Sequence, residues 1–192
     1  MTVEIVEIPG YVAGTWVIDP VHSDVSFKIR HMMLNKVRGR FTGVEGTIVT
    51  AANPLESSVT ATVDLASIDT ANDQRDEHVR SADFLDVANH PTMTYRSTGL
   101  RADGDGFVLD GELTLRGITR SVPLRLEIGG FGPDVFRQDD PFKGSRVGLT
   151  ATGELDRTEF GVGDTATIPG GALALGTRLQ LNLEIQAALQ VD

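Results

Sequence analysis

Between Arg178 and Leu189 apolar and polar residues change places at nearly every step. Leu179, Leu181, Leu183, Ile185, Ala187 and Leu189 form one set, opposed by Arg178, Gln180, Asn182, Glu184 and Gln186. Successive side chains of a strand point to opposite faces, so such a run buries one face and wets the other. That pattern belongs to antiparallel sheets. It recurs with Val25, Phe27 and Ile29, with Val59, Ala61, Val63 and Leu65, and with Leu109, Gly111, Leu113 and Leu115. Val122, Leu124, Leu126 and Ile128 make a further set, as do Val147, Leu149, Ala151 and Leu155. About eight strands separated by turn-rich segments predict an all-β chain, either sandwich or barrel.

One long stretch interrupts the alternation. Ile68–Pro91 carries charge at Asp73, Arg75, Asp76, Glu77, His78 and Arg80, then the pair Phe84–Leu85, then a stop at Pro91. Thr70 and Asp73 have capping-box spacing, and Asn72 competes as the N-cap. The expectation is one helical insert over about residues 72–87. Its charges suit either a solvated helix face or an ion pair fixing the insert to the sheet, the commoner arrangement. They also suit a lid whose Arg75 or His78 meets a polar head group. Residues 36–50 alternate less cleanly, and Gly39, Gly43 and Gly46 mark possible bends or bulges. The DGDG run at Asp103–Gly106 predicts a hairpin turn. Two long loops are expected: 129–144, with Phe131, Phe136 and Phe142 packed at the barrel end or lining a mouth, and 161–176.

Length and charge narrow the functional classes. A chain of 192 residues with 40% hydrophobic content suits one domain, 1–192, with a substantial core. A net charge of −10 argues against nucleic-acid binding, which needs basic patches. It also disfavours strong docking on anionic membranes. Cysteine is absent, which removes thiol chemistry and thiolate metal sites. The stretch MTVEIVEIPGYVAGTW does not read as a signal peptide, and no run is long enough to span a membrane. A soluble, cytoplasmic protein is the expectation.

The residues offer little catalytic pattern. His22, His31, His78 and His90 lack the spacing that puts two imidazoles on one metal. Hydrogen-bonded structural histidines are the simpler reading, and no G-x-S-x-G elbow is present. The inward faces are almost wholly apolar, and alternation alone favours a packed core over a cavity. Small inward residues (Ala61, Gly111, Ala151, Gly153, Ala187) point the other way. An open interior would take an apolar, elongated ligand, because nothing there pairs a buried charge.

Several blocks, taken in order, resemble a known family. They are D-P-V-H-S-D-V-S-F at Asp19–Phe27 with His31, G-R-F at Gly39–Phe41, I-D-T at Ile68–Thr70 and R-D-E-H-V-R-S-A-D-F at Arg75–Phe84. H-P at His90–Pro91, G-E-L-T-L-R-G-I-T at Gly111–Thr119 with Pro123, and D-R-T-E-F-G at Asp156–Gly161 complete the set. Over roughly residues 14–189 the chain resembles the YceI-like, polyisoprenoid-binding family. The resemblance implies an antiparallel lipocalin-like β-barrel with a helix beside its opening and an apolar tunnel for long isoprenoids or similar amphiphilic lipids. It implies no catalytic centre and no cofactor beyond the bound lipid, and it is compatible with a homodimer. Family members are often exported to the periplasm, whereas no signal sequence is evident here, and the 163–174 loop is longer than the family pattern.

On this reading the protein binds, stores or transports lipid and is not an enzyme. The residues expected around the tail are Phe27, Ile29, Met32, Met33, Val59, Val63 and Phe84. From the later strands come Leu113, Leu115, Leu124, Leu126, Leu149, Leu181 and Leu183. Arg75, His78 and Arg157 are expected at the head group or mouth. Two rivals are an isoprenoid- or quinone-directed enzyme using His22, His31 or His78 as acid/base, and a solidly packed interaction module.

Overall fold

The structure is a computed structural model that describes residues 7–135 and 145–191. In chain order the strands are β1 (Gly14–Ile18), β2 (Asp24–His31), β3 (Asn35–Phe41), β4 (Val44–Thr50), β5 (Ser58–Asp64) and β6 (Ile68–Asp69). Helix α1 (Asp73–Arg80) follows. Then come β7 (Thr92–Asp103), β8 (Gly106–Leu115), β9 (Ile118–Ser121), β10 (Leu124–Pro133), β11 (Ser145–Asp156) and β12 (Leu175–Leu189).

These segments make an eight-stranded, closed antiparallel barrel. Four of the eight are broken strands: β1 with β2, β3 with β4, β5 with β6, and β9 with β10. Each broken pair lies along the same neighbours, as β12 shows by pairing β1 through Ala187–Leu189 and β2 through Leu175–Glu184. The β1–β12 seam closes the ring, with Trp16 opposite Leu189 and Ile18 opposite Ala187. Closure pairs the long strands on both sides, leaving only the short β6 and β9 with one partner each among the described residues.

The breaks have local causes. At Asp19–Ser23 the backbone leaves β12, and Gln186 is satisfied instead by Asp19 N–H (2.8 Å) and the Ser23 hydroxyl (3.1 Å). At Thr42–Gly43 the Ser67 hydroxyl accepts from Gly43 N–H (2.9 Å), and the 3-10 turn Leu65–Ser67 faces this break. Of the three glycines expected to bend residues 36–50, only Gly43 lies at a bend. Gly39 and Gly46 sit inside strands, where a Cβ would collide with Phe27 and with Thr60 and Ile18.

Three other expectations need correction. The helix covers Asp73–Arg80 rather than residues 72–87. The Ser81 hydroxyl donates to the His78 carbonyl (2.7 Å) and accepts from Asp83 N–H (3.4 Å), and Asp86 takes φ +51°, so residues 81–90 form hydrogen-bonded turns. Asn72, not Thr70, caps α1, its side chain accepting from Arg75 N–H (2.9 Å). The 129–144 loop begins later than expected, because a bulge between Ile128 and Gly130 lets β10 continue to Pro133. Phe131 therefore packs edge-on against Tyr11 and Trp16, while Phe136 and Phe142 lie outside the described residues.

Candidate functional site

The barrel interior is packed at both ends. At the end carrying Tyr11 and the β1–β12 seam, Trp16, Ile18, Ile48, Val147 and Ala187 form one buried cluster. Trp16 is wholly buried and its indole N–H donates to the Thr50 hydroxyl (2.8 Å). A larger cluster under α1 joins Phe41, Leu65, Ile68, Leu85, Phe160 and Val162 to the inward residues of β8 and β10. Val59 and Leu149 touch both clusters. Around them Val25, Ile128, Leu183 and Ile185 are only half-buried.

Two aromatic rings cross this interior over glycines. A Cβ on Gly39 would lie 2.4 Å from the Phe27 ring, and one on Gly111 would lie 2.3 Å from the Tyr95 ring. Tyr95 directs its hydroxyl at the carbonyls of Val122 (3.0 Å) and Leu109 (3.3 Å). Burial, with a smaller contribution from Asp110, pushes this phenol well above its ordinary range.

The cap over the α1 end is tied down by arginines that donate mainly to main-chain carbonyls. Arg75 bridges the Thr70 hydroxyl and carbonyl (both 2.7 Å), while the buried Asp76 carboxylate accepts from Thr70 N–H (3.0 Å) and from the same hydroxyl. Arg80 reaches the carbonyls of Ala66 (2.9 Å) and Ile68 (3.0 Å). Arg116 joins Phe84 (2.6 Å) to Gly161 (2.8 Å). Arg157 donates to Gly176, Val162, Asp164 and Leu175 at 2.7–3.0 Å. Fixed guanidinium forks suit this role better than a lysine point charge. Removal from water lowers the Arg157 guanidinium from its ordinary value, opposed by Asp156 and Asp164.

The residues expected around a lipid tail divide into three groups. Phe27, Val59, Leu149, Leu181 and Leu183 are half-buried on inward faces, and Phe84 is half-buried in the cap with its ring 5.0 Å from His78. Ile29, Val63, Leu113, Leu115, Leu124 and Leu126 are buried within the core. Met32 and Met33 are elsewhere: they form the exposed turn between β2 and β3 and do not line the interior. Among the head-group candidates, Arg75 is committed to Thr70, and His78 bonds Asp83 (3.0 Å) on the exposed side of α1. Arg157 is 2% exposed with its guanidinium spent on carbonyls, so it anchors the 161–176 loop instead of presenting charge at a mouth.

His22 and His31 are also peripheral. His22 is exposed and hydrogen-bonds Asp19 (2.8 Å), which in turn pairs with Arg146. The His22 bond chiefly, with Arg146 behind it, holds the Asp19 carboxyl far below its usual range. His31 is exposed. Sequence reasoning missed Tyr95, Arg80 and Arg116 as organising residues. Tyr95 had a signal in the alternation Met93–Tyr95–Ser97; the arginines had none, since their acceptors are backbone atoms.

Comparison with known proteins places this architecture. Residues 16–187 match the YceI-like domain. Protein YceI of Escherichia coli O6:H1 is 37% identical over 142 residues, covering 73% of this chain and 71% of that protein. The Campylobacter jejuni YCEI protein superposes with a TM-score of 0.68 at 26% identity, over 90% of this chain and 96% of its own. A polyisoprenoid binding domain from Saccharophagus degradans, implicated in plant cell wall breakdown, superposes with a TM-score of 0.67 at 14% identity, over 93% of this chain and 100% of its own. With its closed eight-stranded barrel, helical cap and 37% identity to an established member, the chain belongs to the YceI-like family.

Proposed function

We propose that the barrel binds one long-chain amphiphilic lipid, an isoprenoid by chemical class, and serves as its carrier or store. The observation that carries this reading is the set of apolar side chains that stay half-buried where they pack against the two buried clusters. On this reading the surface that these side chains keep after packing faces the lumen. An eight-stranded barrel has room for one slender ligand. Among the described inward residues the polar groups are few and already satisfied. Tyr95 addresses two carbonyls, Thr50 donates to the Val12 carbonyl (2.7 Å), and Ser97 accepts from Val59 N–H (2.8 Å). A lumen with no group to pair a charge favours hydrocarbon over ionic solutes.

Each buried methylene contributes roughly 0.8 kcal/mol of transfer energy, so ten carbons supply about 8 kcal/mol before binding costs are subtracted. Polyisoprenoid binding by the structurally similar Saccharophagus domain supports the same ligand class. A carrier also fits the placement of His22, His31 and His78, all exposed and none in the half-buried set.

Native purification followed by lipid extraction and mass spectrometry tests the proposal. A stoichiometric long-chain lipid, or uptake of a prenol added in vitro, is expected. Leu183→Trp, placed in the half-buried set, is expected to abolish that uptake with the fold retained by circular dichroism. A lipid-free protein that takes up no prenol would sink the proposal.

A further inference from the structure

The chain carries 27 acidic against 17 basic residues, yet one hairpin runs against that balance. From Lys28 to Arg40 there are five cations and no carboxylate. All five lie exposed on the outer face of β2 and β3. Lys28 is directly opposite Arg38, and Arg30 directly opposite Lys36. Like charges facing one another across a ladder are destabilising. Arg40 is relieved by Asp69 (3.1 Å) and Lys36 bonds the Gln180 amide (2.8 Å). Among the described residues Lys28, Arg30 and Arg38 have no ion-pair partner. The neighbouring outer surface holds a depression of about 200 Å³ in which Arg178 joins Lys28, Arg30 and Lys36, with Glu154 as its one carboxylate.

The tip of the same hairpin is apolar. Met32, Met33 and Leu34 are 37%, 45% and 78% exposed, three consecutive members of a short set of exposed large hydrophobics. Met32 and Met33 both adopt positive φ, 51° and 59°, in the turn closed by Leu34 N–H to His31 O (3.0 Å). Such turns favour Asn-Gly, and left-handed backbone is costly for side chains like methionine. The turn therefore holds apolar side chains in solvent against both hydration and backbone preference. Beside it, Met32 N–H donates to the Ala174 carbonyl (2.7 Å), which fixes the 165–174 loop next to the tip. No charged residue occurs from Thr165 to Thr177.

We propose that the β2–β3 hairpin, with the adjoining 165–174 loop, is a docking element for an anionic lipid bilayer. The layering carries the choice of occupant. An apolar tip comes first, and the Arg30–Lys36 row follows about 7 Å behind it at roughly 3.4 Å per residue. That separation matches the shallow depth, about 5–10 Å, at which interfacial segments sit with cations at the head groups. The tip is at the α1 end of the barrel, which also carries the exposed carboxylates Asp73, Glu77 and Asp83, so docking rests on the hairpin and the adjoining loop and not on the cap. Net charge alone conceals this, because docking depends on the field of one face. The inference is independent of what the lumen holds: lipid content is read by extraction and docking by vesicle binding.

The test is sedimentation of the intact protein with phosphatidylcholine vesicles, with and without phosphatidylglycerol. Binding is expected only to the anionic vesicles and should fall at high salt. Each cation near an anionic surface is worth about fivefold in partitioning, so Lys28→Gln/Arg30→Gln/Arg38→Gln should weaken binding about a hundredfold. Met32→Asn/Met33→Gly/Leu34→Ser, which suits the turn better, should also lose binding while keeping its extracted lipid. Absence of binding, equal binding to neutral vesicles, or binding unchanged in both variants would overturn the proposal. So would hairpin-dependent self-association without vesicle binding, which would assign the face to a second copy of the chain.

Discussion

Arg157 shows how much one side chain can organise without acting on a ligand. Its guanidinium links carbonyls from two separate stretches, Val162 and Asp164 on one side, Leu175 and Gly176 on the other. Those stretches are the beginning and the end of the β11–β12 connection, so this residue closes the loop beneath the docking surface. Arg157→Lys keeps the charge but replaces a planar fork with a compact ammonium that cannot span both stretches. At least two buried carbonyls lose their partner, at about 1–3 kcal/mol each. For a domain of this size that corresponds to a fall in Tm of about 5–15 °C, measured by calorimetry. A fall under about 2 °C would mean that water or a neighbouring group replaces the guanidinium.

At the scale of elements, Arg116 decides whether the cap behaves as a gate. It extends from the β8–β9 turn, at φ +51°, and holds the carbonyl of Phe84 in the cap to that of Gly161. If ligand passes beneath Phe84, cutting this tie should lower the barrier to opening. Hydrogen bonds to charged groups are worth about 1.5–3 kcal/mol, so Arg116→Ala should speed release of a fluorescent prenol analogue by about tenfold or more. Stopped-flow displacement measures this, and an unchanged rate would route the ligand elsewhere. The strands that frame the cap were legible in the sequence, because one buried face imposes a two-residue period. Gly43 likewise marked a true break. The cap was legible only in outline. Its helix stops at Arg80 because the Ser81 hydroxyl and the turns after it satisfy the backbone locally, which no periodicity announces. Met32 and Met33 read as lumen residues because they are apolar; their turn lacks the Asn-Gly signature that would have placed them outside.

The whole molecule is closed where β12 meets the broken strand β1–β2. Up-and-down strand order makes most pairings sequential, and β12 joins the two ends of the described chain by pairing β2 from Asp24 to His31 and β1 from Trp16 to Ile18. Three residue pairs form the β1 part of that contact: Trp16 with Leu189, Val17 with Ala188 and Ile18 with Ala187. Ala187 is wholly buried there beside Trp16, so the seam also completes the packed cluster at that end of the barrel. A chain ending at Gln186 would keep the β2–β12 pairing but leave β1 unpaired on one side. It would also open that cluster, since Trp16 and Val147 lose a packing partner. Unpaired strand edges template association between chains. The shortened protein is therefore expected to lose its single cooperative thermal transition, bind a hydrophobic dye and aggregate at concentrations where the full chain stays monodisperse. Retention of one sharp transition within about 5 °C of the full chain would show that the β2–β12 ladder alone holds the cylinder, since so small a shift is about 1–2 kcal/mol at this size.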